Sequence, residues 1–266
     1  MKWIAVVVAL ISVGISACAP ISTTHGSDAP PHRPPMPTPT SLYSGSPVLD
    51  RYTEDVVFGD LWKRPQLSRR DRSIVTLSVL IARNQTTDLP AYVNLALDSG
   101  VSPVEMSELV AHLAFYTGWD NATAAARSIQ TVYRERGITV GQSSPASDAR
   151  LPIDAAAEAR RESAVQHSFG TVAPGVVGFT RDTLFNDLWL RPGLAPRDRS
   201  LVTVSALVAT GQDAQLAYHL NRAMDNGLTR SEASEVLTQL AFYTGWPNVF
   251  TALPIVRDVF DKRPGR

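Results

Sequence analysis

His219 carries the side chain that is best suited to proton transfer, because an imidazole can take up and return a proton near neutral pH. It lies between Leu216 and Leu220, beside the apolar stripe of a predicted helix. A lone histidine in such a position is more often a packed core residue than a catalytic one. A role as general acid/base therefore requires that the ring face a cavity.

A dense charge cluster at Arg197, Asp198 and Arg199 offers a second kind of chemistry. Arg199 could hold a substrate carboxylate through two parallel hydrogen bonds, a task that lysine performs poorly. An equivalent cluster occupies positions 70–72, whereas no histidine occupies the position that corresponds to His219. This difference favours the alternative, a structural network of ion pairs with nearby acids across the repeat interface.

Aromatic side chains form a third group, with Phe242, Tyr243 and Trp246 close together in the sequence. Tyr243 and Trp246 could roof an apolar pocket and orient a ring-shaped ligand. The favoured alternative is that they hold their helix against its neighbours.

The elements that position these residues belong to an internal repeat with an offset of 127 residues (188 − 61). Residues 58–76 and 185–203 are identical at 13 of 19 positions without a gap. The heptapeptide that begins at Leu113 recurs unchanged at Leu240. The sequence predicts a tandem pair that shares an interface, with repeat 1 at 48–140, a linker at 141–150 and repeat 2 at 151–266.

Each repeat is predicted to be helical. Ser68 and Pro196 begin one helix, Gly100 and Gly227 end the next, and capping boxes begin a third. The boxes are Ser102 to Glu105 and Thr229 to Glu232. A last amphipathic segment spans about 122–136, and about 249–262 in the second copy. Because no stretch alternates long enough to require a sheet, the predicted fold class is all-α.

Five elements in order resemble the carboxymuconolactone decarboxylase family, which shares the all-helical fold of the alkyl hydroperoxidase D proteins. The resemblance rests on Trp189-x-Arg-Pro-Gly-Leu194, Arg197-Asp-Arg-Ser-Leu-Val-Thr203, Leu216-x-x-His219, Asn226-Gly227-Leu-Thr-x-x-Glu232 and Tyr243-x-Gly-Trp-Pro247. It implies a cofactor-free lyase or isomerase that acts on an unsaturated lactone or related ring acid, with His219 as general acid/base. It also implies assembly as a ring of helical subunits.

Two departures limit what the resemblance implies. Gln212 and Gln215 stand where the peroxidase branch carries its cysteine pair, so thiol peroxidase chemistry is excluded. Gln215 also replaces the acid that usually lies one turn before the histidine; a neutral amide can orient His219 but cannot raise its pKa by charge. The first copy has Asp88 at the position of Gln215 and Tyr92 at the position of His219. Repeat 2 is therefore the better catalytic candidate.

Metal, cofactor and nucleic-acid chemistry find little support in the sequence. The five histidines are scattered without a zinc-type spacing, so no metal is predicted, and the resemblance implies that the enzyme uses no other cofactor. His112, which faces Gln239 in the repeat alignment, is a weak candidate for a second site. With 25 basic and 25 acidic residues and no basic run, no nucleic-acid partner is expected.

The N-terminus predicts export. A basic start and an apolar run make residues 1–17 a signal peptide, and Ile15-Ser-Ala-Cys18 resembles the bacterial lipobox, in which the cysteine receives a lipid. Cys18 is the only cysteine, and the Pro- and Ser-rich residues 18–47 are predicted to be a disordered tether. A plain secretory peptide with an incidental Cys18 is the alternative.

Together these features predict an enzyme of lactone-handling type, anchored to the cell envelope by a lipid and acting on a small molecule. The expected substrate-binding residues are Arg199, Gln215, Tyr243 and Trp246. Duplication suggests that three chains complete a ring of six repeats. The alternative is a non-catalytic helical lipoprotein that binds an apolar small molecule or supports an assembly.

Overall fold

The computed structural model describes residues 45–143 and 149–263. Cys18, the predicted signal peptide and residues 18–44 of the predicted tether lie outside this range. The described residues contain helices and turns and no strand, which confirms the all-α prediction. None of the described helices is both long enough and apolar enough to cross a bilayer.

The helices repeat in the order that the sequence predicts. The first repeat comprises α1 (Pro47–Tyr52), α2 (Arg69–Ala82), α3 (Leu89–Asp98), α4 (Pro103–Thr117) and α5 (Trp119–Arg136), followed by the short α6 (Val140–Ser143). The second comprises α7 (Ala155–Phe169), α8 (Pro174–Phe179), α9 (Pro196–Thr210), α10 (Asp213–Asp225), α11 (Arg230–Thr244) and α12 (Trp246–Asp261). A π-helical turn follows α1 at Thr53–Phe58 and α8 at Thr180–Phe185, again 127 residues apart.

Local chemistry sets the predicted helix ends. The Ser68 hydroxyl accepts a hydrogen bond from the backbone N–H of Asp71 at the start of α2. Both capping boxes form, at Ser102 in α4 and at Thr229 in α11. These bonds satisfy backbone donors that the first turn of a helix leaves without a partner. The sequence therefore encodes the helix boundaries locally.

Helix α7 is not among the helices predicted from the sequence. Its signal is nevertheless present, because Asp154 accepts hydrogen bonds from the backbone N–H groups of Ala156 and Ala157 and a run of good helix formers follows. No residue of α7 is fully buried. The helix therefore lies on the surface, and its contribution to stability depends on the few contacts that it makes with the rest of the second repeat.

The core is built around α2 and α9, which pack against each other across the repeat boundary. Residues 71–82 of α2 and 198–209 of α9 are all buried, as expected of helices surrounded on every side. Helix α4 of the first repeat packs against α9, and α11 of the second packs against α2. Because the third long helix of each repeat crosses to the other repeat, side chains from both repeats meet at two related positions.

Candidate active site

His219 lies on α10 among aromatic rings from both repeats. Its ring is stacked on Trp189, with centroids 6.0 Å apart, and meets the edge of Tyr116 of α4 at 5.4 Å. Tyr218 flanks it at 5.0 Å. The residue is 6% exposed, and its Nδ1 atom is buried without a partner in the described structure. The imidazole thus lies just below the surface, in an aromatic cluster at the repeat boundary.

His112 belongs to this same cluster. Its Nε2 lies 2.8 Å from the Thr203 hydroxyl, which donates its own proton to the Arg199 carbonyl oxygen. The His112 ring is stacked on Tyr116 at 4.9 Å and meets Trp189 edge-on at 5.0 Å. The structure therefore places His112 beside His219, whereas the sequence analysis considered it only for a second site.

Arg222 supplies the charge of the site, and the sequence analysis missed it. Its guanidinium carbon lies 4.2 Å from the Trp189 ring centroid and 5.4 Å from that of Phe185. Within the described residues the guanidinium forms no ion pair, and its Nε atom is buried without a hydrogen bond. Arg222 could have been predicted as a site residue from its position three residues after His219, on the same helix face. Leu95 occupies the corresponding position in the first repeat.

The surroundings keep both imidazoles neutral at pH 7. Burial, assisted by the positive charge of Arg222, lowers the pKa of His219 from 6.5 to about 4. Burial and the nearby Arg199 lower the pKa of His112 well below 6.5. Burial also raises the pKa of the Tyr116 hydroxyl. The site therefore presents neutral hydrogen-bonding groups around the Arg222 guanidinium, with the Arg199 guanidinium near His112.

These shifts predict a pH dependence of stability. A histidine whose pKa is lower in the folded state destabilises that state at pH values at which the unfolded chain binds the proton and the folded chain does not. Between pH 6.5 and 4.5, the His219 shift to about 4 is expected to lower the free energy of unfolding by about 2–3 kcal/mol as the pH falls. Denaturant titrations at pH 7 and 4.5 measure this difference.

The matched variant for this measurement is His219→Gln, which removes the titrating ring. The difference between the two pH values is expected to shrink in the variant by the share that His219 contributes. Glu105, Glu108, Glu232 and Glu235, whose pKa values are lowered in the folded protein, also lose part of their stabilising contribution as the pH approaches 4.5, but they do so equally in both proteins, so the comparison isolates the share of His219. An equal pH dependence in both proteins would contradict the prediction.

Arg199 is fully buried and bound to protein groups. Its Nη2 donates to Glu108 at 2.6 Å and to the backbone carbonyl oxygen of Arg191 at 2.9 Å. Arg191 donates to the same carboxylate at 2.8 Å. Because Glu108 belongs to the first repeat, these contacts form the cross-repeat network that the sequence analysis favoured. Arg197 extends the network with an ion pair to Asp71 at 2.9 Å.

The structure separates the other predicted substrate-binding residues from His219. Tyr243 lies in the related cluster, where its hydroxyl accepts from Trp62 Nε1 at 2.8 Å and lies 3.1 Å from that of Tyr92. Trp246 is half exposed and packs edge-on against Phe242. Gln215 is exposed and forms no side-chain hydrogen bond to His219 in the described structure. Helices α4 and α11 each cross to the other repeat, and for this reason Tyr116 of the first repeat, not Tyr243 of the second, contacts His219.

Buried polar atoms without partners distinguish the two related clusters. The His219 cluster has five: Nδ1 of His112 and of His219, Nε and Nη1 of Arg199, and Nε of Arg222. In the related cluster Arg72 Nε also lacks a partner, but Arg72 Nη1 donates to Gln239 at 2.9 Å and Gln239 donates to Thr76 at 3.1 Å. Buried polar groups without hydrogen bonds cost free energy. The His219 cluster therefore has the composition expected of a site that binds a polar ligand. The described residues contain no group of three or more His, Cys, Asp or Glu that could hold a metal ion.

Comparison with known proteins agrees with the resemblance seen in the sequence. The chain is 36% identical to 4-carboxymuconolactone decarboxylase of Acinetobacter baylyi over 76 residues, which are 29% of this chain and 57% of that protein. It is 36% identical to nitrosuccinic acid decarboxylase of Metarhizium robertsii over 61 residues, which are 23% of this chain and 43% of that protein. The alignments thus span about half the length of each relative. The model of the carboxymuconolactone decarboxylase family matches residues 47–130 and 174–258, and the chain belongs to this family as a tandem pair of repeats.

Proposed function

We propose that this protein is a cofactor-free decarboxylase or isomerase of a small organic acid, with the His219 cluster as its active site. An unsaturated lactone or ring acid is the substrate class, because planar rings suit the aromatic walls formed by Trp189 and Tyr116. Both relatives are named as decarboxylases of organic acids. His219 is the general acid/base, and Arg222 binds the substrate carboxylate.

One observation carries the proposal: at the second of two related clusters, an imidazole and a cation without an ion pair replace Tyr92 and Leu95. Among the described residues, the two fully buried arginines are both paired with a carboxylate, Arg199 with Glu108 and Arg72 with Glu235, whereas the half-buried Arg222 is not. A cation left without such a partner costs free energy unless a ligand supplies the anion. The coexistence of both groups in one repeat favours a role for them in the same reaction.

Substrate binding prepares the proton donor. A carboxylate on Arg222 cancels the positive charge that helps to hold the pKa of His219 near 4. The anion itself also favours the charged imidazolium, so the pKa of His219 rises in the complex and the ring takes up a proton from solution. The charged imidazolium is then the general acid, as the reaction requires.

The reaction balances with these two groups. The bond between the carboxylate and the adjacent carbon breaks, carbon dioxide leaves, and the electron pair passes into the conjugated carbonyl group as an enolate. The imidazolium of His219 then returns its proton to carbon. In an isomerisation the neutral ring would instead remove a proton next to the carbonyl group and return it elsewhere. Indole, phenol and imidazole groups around the developing charge limit access of water.

Arg222→Leu tests the proposal, because it installs the residue that the first repeat carries at this position. With a panel of unsaturated lactone acids and ring acids, the variant is expected to lose about 10–100-fold in kcat/KM, as hydrogen bonds to a charged group contribute about 1.5–3 kcal/mol. Carbon dioxide release measures the rate. Arg222→Lys is expected to lose less, since it keeps the charge.

Arg257→Leu serves as the matched control, because this arginine is largely exposed on α12. It is expected to leave the rate unchanged. Wild-type kcat/KM in Arg222→Leu would remove Arg222 from the binding step. If the panel yields no carbon dioxide and no isomer with the wild-type protein, the catalytic proposal itself fails.

The second candidate function is non-catalytic binding of an apolar small molecule, and the 6% exposure of His219 is the observation that favours it. Binding of ring acids without turnover would support this candidate. Both candidate functions include export, a lipid on Cys18 and assembly as a trimer of two-repeat chains. Mass spectrometry of the mature N-terminus tests export and the lipid, and light scattering tests the trimer.

A further inference from the structure

A pocket of about 480 Å³ opens beside the cluster that is related to the His219 cluster by the repeat. Tyr92 lines it at the position that corresponds to His219, so this is the first repeat's version of the same location. Its walls include the rings of Phe58, Phe242 and Tyr243. Its size is that of an ordinary small-molecule site.

The polar groups of this pocket differ in charge from those at the His219 cluster. Asp88 lines the pocket, and its lining includes no lysine, arginine or histidine. Asp88 also precedes the first residue of α3, yet its carboxylate makes no capping hydrogen bond to that helix. It forms no ion pair among the described residues. A half-buried carboxylate without a cation thus borders an aromatic pocket.

The tyrosines of the pocket are engaged with protein groups. The Tyr243 hydroxyl accepts from Trp62 and lies 3.1 Å from the Tyr92 hydroxyl. Burial raises the pKa of Tyr243 well above 10, so it stays neutral and cannot act as a base near pH 7. The pocket therefore offers ring faces, the uncharged polar residues 84–87 and one carboxylate.

We propose that this pocket is a second, non-catalytic ligand site for a ring compound that carries a protonated amine. The Asp88 carboxylate supplies the charge-assisted hydrogen bond to the amine. The aromatic walls attract both the ring and the cation. A carboxylic acid of the kind proposed for the His219 cluster is repelled here, because Asp88 has the same sign of charge. The two repeats would then bind ligands of opposite charge.

Three probes with one ring and different charge test the inference: 2-naphthylmethylamine, 2-naphthylmethanol and 2-naphthoate. Calorimetric titration of the full-length protein is expected to give a Kd for the amine about tenfold lower than that for the alcohol, with the naphthoate weakest. Asp88→Asn is expected to raise the Kd for the amine about tenfold and to leave that for the alcohol unchanged. Asp261→Asn, on an exposed residue, controls for net charge.

Equal binding of amine and alcohol, no binding of any probe, or an amine Kd that Asp88→Asn leaves unchanged would overturn the inference. If Asp88→Asn does not fold, Asp88→Ser keeps a good residue for a helix start and provides the same comparison. His219→Ala and Arg222→Leu are expected to leave amine binding at its wild-type value. Failure of this inference is therefore distinguishable from failure of the proposed catalysis.

Discussion

Replacement of His219 by alanine is expected to lower kcat for decarboxylation about 10²–10⁴-fold, the usual contribution of a positioned general acid. The variant retains Arg222, so the substrate carboxylate still binds and KM changes less than kcat. What it lacks is the proton that must reach carbon after carbon dioxide has left. Steady-state rates of carbon dioxide release, measured across the panel of unsaturated lactone acids and ring acids, provide the comparison.

His112→Gln is the matched control for His219→Ala. It removes the other imidazole of the cluster and installs the residue that the second repeat carries at the corresponding position, Gln239. His112 is fully buried and its Nε2 atom is bound to Thr203, and no proton transfer is assigned to it, so its loss is expected to change kcat much less. Equal rates in His219→Ala and the wild type would eliminate His219 from the mechanism.

Replacement of Glu108 by glutamine is expected to destabilise the fold by about 3–5 kcal/mol, the cost of breaking a buried ion pair from one side. Glu108 is 3% exposed and holds both Arg191 and the fully buried Arg199. The neutral amide leaves the Arg199 charge in the interior without a counter-ion. Chemical denaturation at pH 7 reports the loss, and thermal unfolding is expected at a clearly lower Tm.

The chain offers two comparisons for Glu108→Gln. Glu235→Gln, in the related network with Arg72 and Arg64, is expected to cost a similar amount, because the geometry is repeated. Glu162→Gln, which breaks an exposed contact with Arg181, is expected to change stability little. If Glu108→Gln unfolds at the wild-type denaturant concentration, the network does not hold the two repeats together as its geometry implies.

Local sequence chemistry determined the helices. Capping boxes at Ser102 and Thr229, the start of α2 at Ser68 and the positive φ angles of Gly100 and Gly227 are set by neighbours within a few residues. Such features can be predicted because the groups that satisfy one another are close in the chain. Helix α7 shows the limit of the sequence analysis, since its start signal was present and not used.

The partners of His219 were decided only by the tertiary structure. Tyr116 lies 103 positions away in the chain (219 − 116), and it reaches the imidazole because α4 crosses into the second repeat. Tyr243 was predicted from the sequence instead, although the repeat makes the two tyrosines equivalent. Arg199 could not be distinguished from Arg222 by residue type. Whether an arginine is paired with a carboxylate depends on packing between distant helices.

The sequence by itself therefore determined the repeat, the all-α fold and the family, and it singled out position 219 as the catalytic candidate. These follow from periodicity and from order along the chain. The tertiary structure decided which copy of each duplicated side chain joins which cluster, and which arginine lacks a carboxylate. A duplication doubles every local signal without saying how the copies pair, and that choice is made by helix packing across the boundary between the repeats.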